Sequence, residues 1–557
     1  MLRRVALAVV LLPTVAFAAP IETVVVTASP PDPVGNAAFS VATLSAADLH
    51  DSTELDRALA QVPGLSLFRR DSSLSANPTT QGVSLRSIAP SGAGRALVTL
   101  DGVPQNDPFG GWVIWSALPP EDIGGAQVVA RCRRGAVRCR GADRHHCAGR
   151  GAGRRAGRGR CLAGAVERQA RRGRRRHHAQ APSRCSPAPA TRTATAGSPY
   201  RRRSAARPTM PSPITPATFR CGPRPRPGPT TLLSLRLGAY GENRDSGLVG
   251  ATSSADGVTA SLTLAHPETA DDLGWRVQAW LRNSGFSNTS ATVLPGRTGT
   301  TLSNDQYSTP ALGWGFNAAL RGSWSWLDWE VGGDARFTQG DSKEHYQYVA
   351  GAPTMNRDSG GRTFVGGLYV ESAAHPSPGL LLTLGVRADQ WASTGGHLIQ
   401  SVLATGAVTV NQTTPSRSGV VPTARLGVRQ ELGDGLYVRS AAYGGFRAPT
   451  LNELYRPFRL GNNLTEANPG LTPEKLYGAE AGLGQGGESF GWDLTGFYNQ
   501  LHGAVTNVTV AHGPVTVPGL GTVPVGGLLI QRQNAGNIDA YGLEIRRPLA
   551  GARLADA

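Results

Sequence analysis

From Thr231 onward, apolar and polar residues alternate with a period of two. Leu233, Leu235, Leu237 and Ala239 alternate with Ser234, Arg236, Gly238 and Tyr240, and Val258, Ala260, Leu262 and Leu264 with Thr259, Ser261, Thr263 and Ala265. Trp275, Val277, Ala279 and Leu281 lie opposite Arg276, Gln278, Trp280 and Arg282; Leu380, Leu382, Leu384 and Val386 lie opposite Thr383, Gly385 and Arg387. Segments near 313–323, 325–338, 363–373, 418–430, 434–446, 476–484, 490–500 and 538–547 repeat the pattern. Successive side chains of an extended strand point to opposite faces, so each segment predicts a strand with one apolar face. Strands of about ten residues, tight turns such as Glu431 to Gly435 and longer polar loops match a transmembrane antiparallel β-barrel. Lipid leaves no backbone group unpaired, and a closed sheet satisfies this without helices. Trp275, Trp314, Trp326, Trp329, Tyr437, Trp492 and Tyr498, at strand ends, suit interfacial girdles. A soluble sandwich or solenoid shares the alternation, but the number of segments behind an export signal favours the barrel.

That signal is Met1–Ala18. Arg3 and Arg4 form a positive start, Val5–Val15 is apolar, and Ala16-Phe17-Ala18 is the small-x-small pattern cleaved on export, so the mature chain is expected to begin near Ala19. No apolar run is long enough for a transmembrane helix. Glu22–Ala28 is a short β-prone run followed by the Pro-rich tether Ser29-Pro30-Pro31. Ser45–Gln61 has helical spacing through Leu49, Leu55, Leu59 and Val62 and stops at Pro63-Gly64. Leu97 to Pro104 predicts a strand entering a turn at Asp101-Gly102.

These stretches resemble the TonB-dependent outer-membrane receptors. Ala58–Phe68 (ALAQVPGLSLF) and Leu97–Val129 (LVTLDGVPQNDPFGGWVIWSALPPEDIGGAQVV) are similar to the family's plug domain; Gly444–Tyr455, Asn468–Lys475 and Asn534–Ile545 are similar to its barrel motifs, in the expected order. The resemblance covers about 19–129 and 231–547. It implies an N-terminal α/β plug (31–130) inside a barrel (231–557) of about 22 strands, wide enough to need a plug. It implies a TonB box at Glu22, Thr23, Val24, Val25, Val26, Thr27 and Ala28, whose extended backbone pairs with an edge strand of TonB in the TonB–ExbB–ExbD complex. Within the plug, Asp101, Gly102, Val103, Pro104, Asn106 and Asp107 match the family motif. The implied role is energised uptake of a scarce small molecule or metal chelate (ferric siderophore, haem or cobalamin) across the outer membrane, with membrane lipid around the barrel. No enzymatic chemistry and no cofactor are implied. A passive porin is the competing transport reading, against which the tether and plug argue.

The charge of the whole chain, +17, first suggests a nucleic-acid or anionic partner. Position removes that reading. Residues 131–230 hold 26 arginines against the two acids Asp143 and Glu167, a net +24, and all six cysteines (Cys132, Cys139, Cys147, Cys161, Cys185, Cys221). The remainder carries 30 bases and 37 acids, a net −7. An exported barrel meets no nucleic acid, and Cys139, His145, His146 and Cys147 fit no standard zinc spacing. The third reading is a shifted frame. With each codon of Cys132–Ala148 read one base later, Asp143, His145 and His146 give only Thr or Ile, Cys132, Cys139 and Cys147 only Ala or Val, Val137 permits Tyr and Ala142 permits Leu. A permitted product contains Tyr-Gly-Ala-Gly-Ala-Leu-Thr-Gly-Thr-Ile, the plug motif expected there. A frameshift near Ala130, restored between about Pro223 and Thr231, is therefore expected, and the translated block 131–230 is expected to be disordered.

His50, His266, His345, His375, His397, His502 and His512 are scattered, which predicts neither a metal site nor a nucleophile. About thirteen strand candidates are fewer than such a barrel uses, so a C-terminal truncation is also expected. The alternative is thus a non-functional fragment of such a receptor. Ligand specificity is expected in the loop residues 284–310, 339–362, 390–416 and 456–470.

Overall fold

The computed structural model describes residues 34–69, 71–88, 91–129, 231–486 and 491–546, and the backbone of 136–141. The export signal, the Glu22–Ala28 box and most of the Arg-rich block lie outside the described residues.

The plug is built on a five-stranded sheet in the spatial order Val41–Ser45, Ile123–Val129, Ala136–Gly141, Leu97–Leu100, Val103–Pro104. Its core gathers Leu49, Leu55, Leu59, Val62, Val83, Val98, Val113, Trp115, Ile123 and Val128. The helix expected over Ser45–Gln61 is two short helices, Ala46–His50 and Leu55–Leu59. Ser45 caps the first in a reciprocal pair with Asp48. The break falls at Glu54, whose carboxylate instead accepts bonds from Ser72 Oγ (2.7 Å), Ser73 N (2.8 Å) and Ser73 Oγ (2.9 Å). Six residues of the Arg-rich block correct the expectation of disorder. Ala136–Gly141 is a strand, antiparallel to Ile123–Val129 and parallel to Leu97–Leu100. Main-chain pairing needs no apolar pattern, so composition did not forbid it.

The second unit is a 14-stranded antiparallel sheet. It runs from Leu232–Asp245 through Thr252–His266, Gly274–Val293, Ala311–Trp324, Leu327–Val349, Ala352–Ser377, Leu380–Val402, Arg417–Gly433, Leu436–Arg447, Glu474–Gln485 and Trp492–His502 to Asn537–Arg546, with Thr300–Ser308 pairing both Gly274–Val293 and Leu327–Val349, and Val408–Thr414 pairing Leu380–Val402. Every segment with the period-two pattern is a strand. The segments expected as loops at 284–310, 339–362 and 390–416 are largely strand, because hairpin pairing continues into polar sequence. Among the described residues Leu232–Asp245 pairs only with Thr252–His266, and Asn537–Arg546 only with Trp492–His502.

The faces are inverted relative to a water-soluble sheet. Leu368 (75 % exposed), Val420, Leu384, Phe316 and Leu262 point outward, while Gln278, Glu371, Asp389, Glu480 and Thr495 are buried inside. That is the arrangement lipid requires. No helix among the described residues is long and apolar enough to cross a membrane, which says nothing about strands. Trp314, Phe337 and Phe364 stack in sequence on the outer face, with centroids 4.1 and 4.8 Å apart, as a girdle should. Tyr437 departs from the expectation: its parity turns it inward, where its hydroxyl donates to Asp493 at 3.0 Å.

Candidate functional site at the plug–barrel interface

The tip of the Leu97–Pro104 hairpin explains the Asp-Gly pair. Asp101 (φ 49°) and Gly102 (φ 89°) are both left-handed, the geometry of a two-residue type I′ turn. A Cβ on Gly102 would lie 2.9 Å from Gln278 Oε1, so the tip also needs glycine to approach the wall. The Asp101 carbonyl accepts from Arg276 (3.0 Å) and Gln278 (3.1 Å), and its carboxylate pairs with Arg236. Val103 and Pro104 pair back onto Leu100 and Thr99. Asn106 clamps the next loop: its Oδ1 accepts from Val98 N (2.9 Å) and its Nδ2 donates to Ala96 O (3.2 Å) and Gly111 O (2.9 Å). Asp107 Oδ1 accepts from Phe109 N (2.9 Å) and Gly110 N (2.8 Å), and Oδ2 from Ser284 Oγ of the wall (2.9 Å). Burial pushes the Asp107 carboxyl up, against those donors and the Arg282 charge.

This loop delivers Phe109 and Trp112 to a second apolar cluster with Phe286, Leu451, Leu454, Tyr455 and Val505. Helix Leu451–Tyr455 is started by Thr450 and Glu453 in a capping box, and Asn452 N donates to Phe109 O at 3.0 Å. Burial alone raises the Glu453 carboxyl, but the charge and hydrogen bonds of Arg447 (2.9 Å) overturn it, with Thr450 N, and hold it at about 2.

Two ionic seams join plug to wall. Arg86, itself left-handed (φ 51°), donates to Glu480 (2.5 Å), Glu544 (3.1 Å) and Tyr443 Oη (2.7 Å), and lies over the Phe497 ring. Glu480 also accepts from Ser40 N (2.6 Å) and Arg439 (2.8 Å). Arg95 pairs with Glu474 (2.9 Å), which Arg447 meets from the wall at 2.5 Å. A cavity of about 70 Å³ bounded by Leu100, Val103, Gln105, Leu118 and Arg236 lies at the hairpin side of the interface, too small for a chelate.

Beyond the plug apex, Arg459 lies near Arg357 and Arg532 near Arg456. Arg357 and Arg456 share Glu344, each with its Nε at 2.9 Å. Arg532 donates to Asn452 O (2.7 Å) and Arg456 O (2.9 Å); burial, together with the Arg456 charge and against the pull of Glu453, draws its pKa down to about 10. Burial and Arg357 likewise lower Arg459.

The structure therefore brings Asp101, Gly102, Val103, Pro104, Asn106 and Asp107 together with strands Leu232–Asp245 and Gly274–Val293. Sequence reasoning missed Arg86, Arg95, Glu474, Glu480 and Glu544. The signal available was parity: Glu480 and Glu544 occupy inward positions of strands whose outward neighbours are apolar.

A family model described as the TonB-dependent receptor plug domain matches residues 33–131, and one described as TonB dependent receptor-like, beta-barrel, matches 197–553. The chain belongs to the TonB-dependent receptor family. Members of this family are transporters, not enzymes. The barrel match begins inside the Arg-rich block, ahead of the boundary expected at 231. Among solved structures, the receptor is similar to a double mutant of the hemophore receptor HasR of Serratia marcescens, in complex with its hemophore HasA and heme (TM-score 0.56, 13 % identity, 92 % of this chain and 79 % of that one). It is also similar to the ferric citrate transporter FecA in the unliganded form (0.52, 13 %, 92 % and 75 %) and the ferric yersiniabactin uptake receptor FyuA of Yersinia pestis (0.51, 13 %, 92 % and 76 %). At these identities the likeness is one of fold. No curated protein matches the sequence.

Proposed function

We propose that this receptor sits in the outer membrane and takes up a scarce anionic iron chelate, of the siderophore or haem class, with energy delivered by TonB. The observation that carries the reading is the seated plug. Its N-terminal end lies at the short-turn end of the wall, where Arg425 donates to Val34 O at 3.4 Å and Gly35 abuts Thr383 and Ala373 beside the Ser377–Leu380 turn. The Glu22–Ala28 box would then emerge on the periplasmic side, opposite the arginine-rich mouth. Pulling on that tether acts on the plug where Arg86 holds it. Four arginines, two of them matched by the single Glu344 carboxylate, leave surplus positive charge that favours an anion at the mouth, and the structures of similar fold named above include receptors for haem, ferric citrate and ferric yersiniabactin.

Deleting Glu22–Ala28 tests the coupling: uptake is lost and binding at the surface is kept. Uptake that survives the deletion supports a passive pore instead. A non-functional fragment is supported by the composition of 131–230. Nucleotide sequence across codons 125–235, read in three frames, decides it; the fragment reading fails if no other frame yields alternating β sequence.

A further inference from the structure

The outer face of the wall carries a constellation that the transport reading does not use. Asp341, Asp358 and His397 come from three adjacent strands, Leu327–Val349, Ala352–Ser377 and Leu380–Val402. His397 Nε2 lies 3.6 Å from Asp341 Oδ1 and 3.6 Å from Asp358 Oδ1. Donors held at about 2.1 Å around a tetrahedral ion sit about 3.4 Å apart, near the two histidine–aspartate distances, and all three donor atoms lie within 4.8 Å of one another.

Three local features build this site. The first is a bulge. Between the pairs Arg362–Thr394 and Gly360–His397, three residues advance on one strand against two on its neighbour. Before the bulge the outward residues are even-numbered (Leu382, Leu384, Val386); Asp389 and Ser393 are buried inside. After it, Gln400 is inside and Ile399 outside. One extra residue has therefore turned His397 from the lumen to the outer face. The second is Gly360, which stands between Asp341 and His397 in register. A Cβ there would fall 2.2 Å from Asp341 Oδ1, so the missing side chain is the space into which that carboxylate leans. The third is orientation of the imidazole. Its Nδ1 lies 3.3 Å from Gly395 O, and a carbonyl only accepts, so an Nδ1–H donates there and Nε2 is the nitrogen turned to the two aspartates, where it can ligate. Metal-bound histidines are commonly fixed by such a bond. Asp358 Oδ1 is meanwhile buried without a hydrogen-bond partner among the described residues.

We propose that Asp341, Asp358 and His397 bind a divalent first-row cation of the Zn²⁺ class, through one imidazole nitrogen and two carboxylates, with further positions open to water. The site lies further along the strands than the Trp314–Phe337–Phe364 girdle, Asp341 following Phe337 on its strand and Asp358 preceding Phe364 on the next. Lys343 and Arg362 flank it and offset part of its negative charge. The ion ties three strands together across the bulge, where the ladder is locally interrupted.

The test is zinc binding to the full chain in detergent micelles, with its six cysteines alkylated beforehand. Equilibrium dialysis against Zn²⁺ and metal analysis give the stoichiometry. H397Q and D358N should each bind one ion fewer, or bind it at least tenfold more weakly, while H345Q, which removes a neighbouring outward histidine, binds as the parent does. Substituting Co²⁺ should give a visible spectrum with nitrogen and oxygen ligands that H397Q abolishes. The half-buried triad lies outside the plug and lumen, so heat-modified migration in gels reports whether each variant keeps the parent fold. Equal stoichiometry and affinity in parent, H397Q and D358N overturns the proposal, as does loss of the same ion in H345Q.

Discussion

Arg86 of the plug and Glu480 of the wall meet at 2.5 Å, each side chain only 1 % exposed, although 394 residues separate them. A guanidinium taken out of water at that depth must be matched by buried carboxylates. Glu544 and Tyr443 complete the match. Among the described residues, replacing Arg86 by Met leaves Arg439 as the remaining cation on Glu480 and Arg546 as that on Glu544, and should weaken plug docking by about 3 kcal/mol. Adding E480Q removes the one carboxylate in excess, since Arg439 keeps Asp493 and Arg546 keeps Glu544, and should recover more than half of that loss. Denaturant titration, read by protease cleavage of the plug, measures both; an R86M plug as resistant as the parent's would remove the seam from the account.

Acid should release the apex. The Glu453 carboxyl is held at about 2 against an ordinary value of 4.5, so the folded state binds its proton later than the unfolded state. The resulting stability is complete above about pH 4.5 and is lost as the pH falls through about 2. Thermal unfolding recorded between those limits should fall steeply in the parent. In E453Q it should start lower and change less over the same window. Parallel curves would show that Glu453 does not set the acid limb.

The wall was legible in the sequence because lipid enforces a strict period: Leu382, Leu384 and Val386 declare an outward face wherever they stand. The Asp101-Gly102 turn was legible because few residue pairs adopt two left-handed conformations in succession. The ionic seams were not. Arg86 lies in the plug and its partners at positions 480 and 544 on distant strands, and no local rule connects them. The surroundings of His397 were not legible either: a single bulge reverses its face and sets it beside two aspartates from neighbouring strands, which spacing along the chain does not reveal. Ser45–Gln61 was read as one helix because its apolar spacing does not reveal that Glu54 is engaged by Ser72 and Ser73.

Gly102 gives a direct test of the hairpin tip. At φ 89° an L-residue is strained, and an added methyl would press on Gln278 Oε1 at 2.9 Å. G102A should cost the plug about 1–2 kcal/mol from the left-handed conformation. Denaturant unfolding of the plug measures this. A loss below a few tenths would mean that the tip relaxes away from the wall.

The mouth supplies the last test, on ligand charge. Arg459 donates to Thr522 O at 3.0 Å, and burial with the neighbouring Arg357 charge lowers its pKa. Its charge is therefore costly where it stands, and an anion beside it relieves that cost. R459Q should weaken an anionic ferric chelate by about fivefold, one charge at a partly solvated site being worth about 1 kcal/mol. The deficit should shrink as salt is raised, because exposed charges are screened within about 8 Å at physiological ionic strength. Equilibrium binding of ferric citrate or haem to parent and R459Q at low and high salt separates the outcomes. A deficit independent of salt would place Arg459 in packing rather than in attraction, and no deficit would remove the arginine cluster from ligand capture.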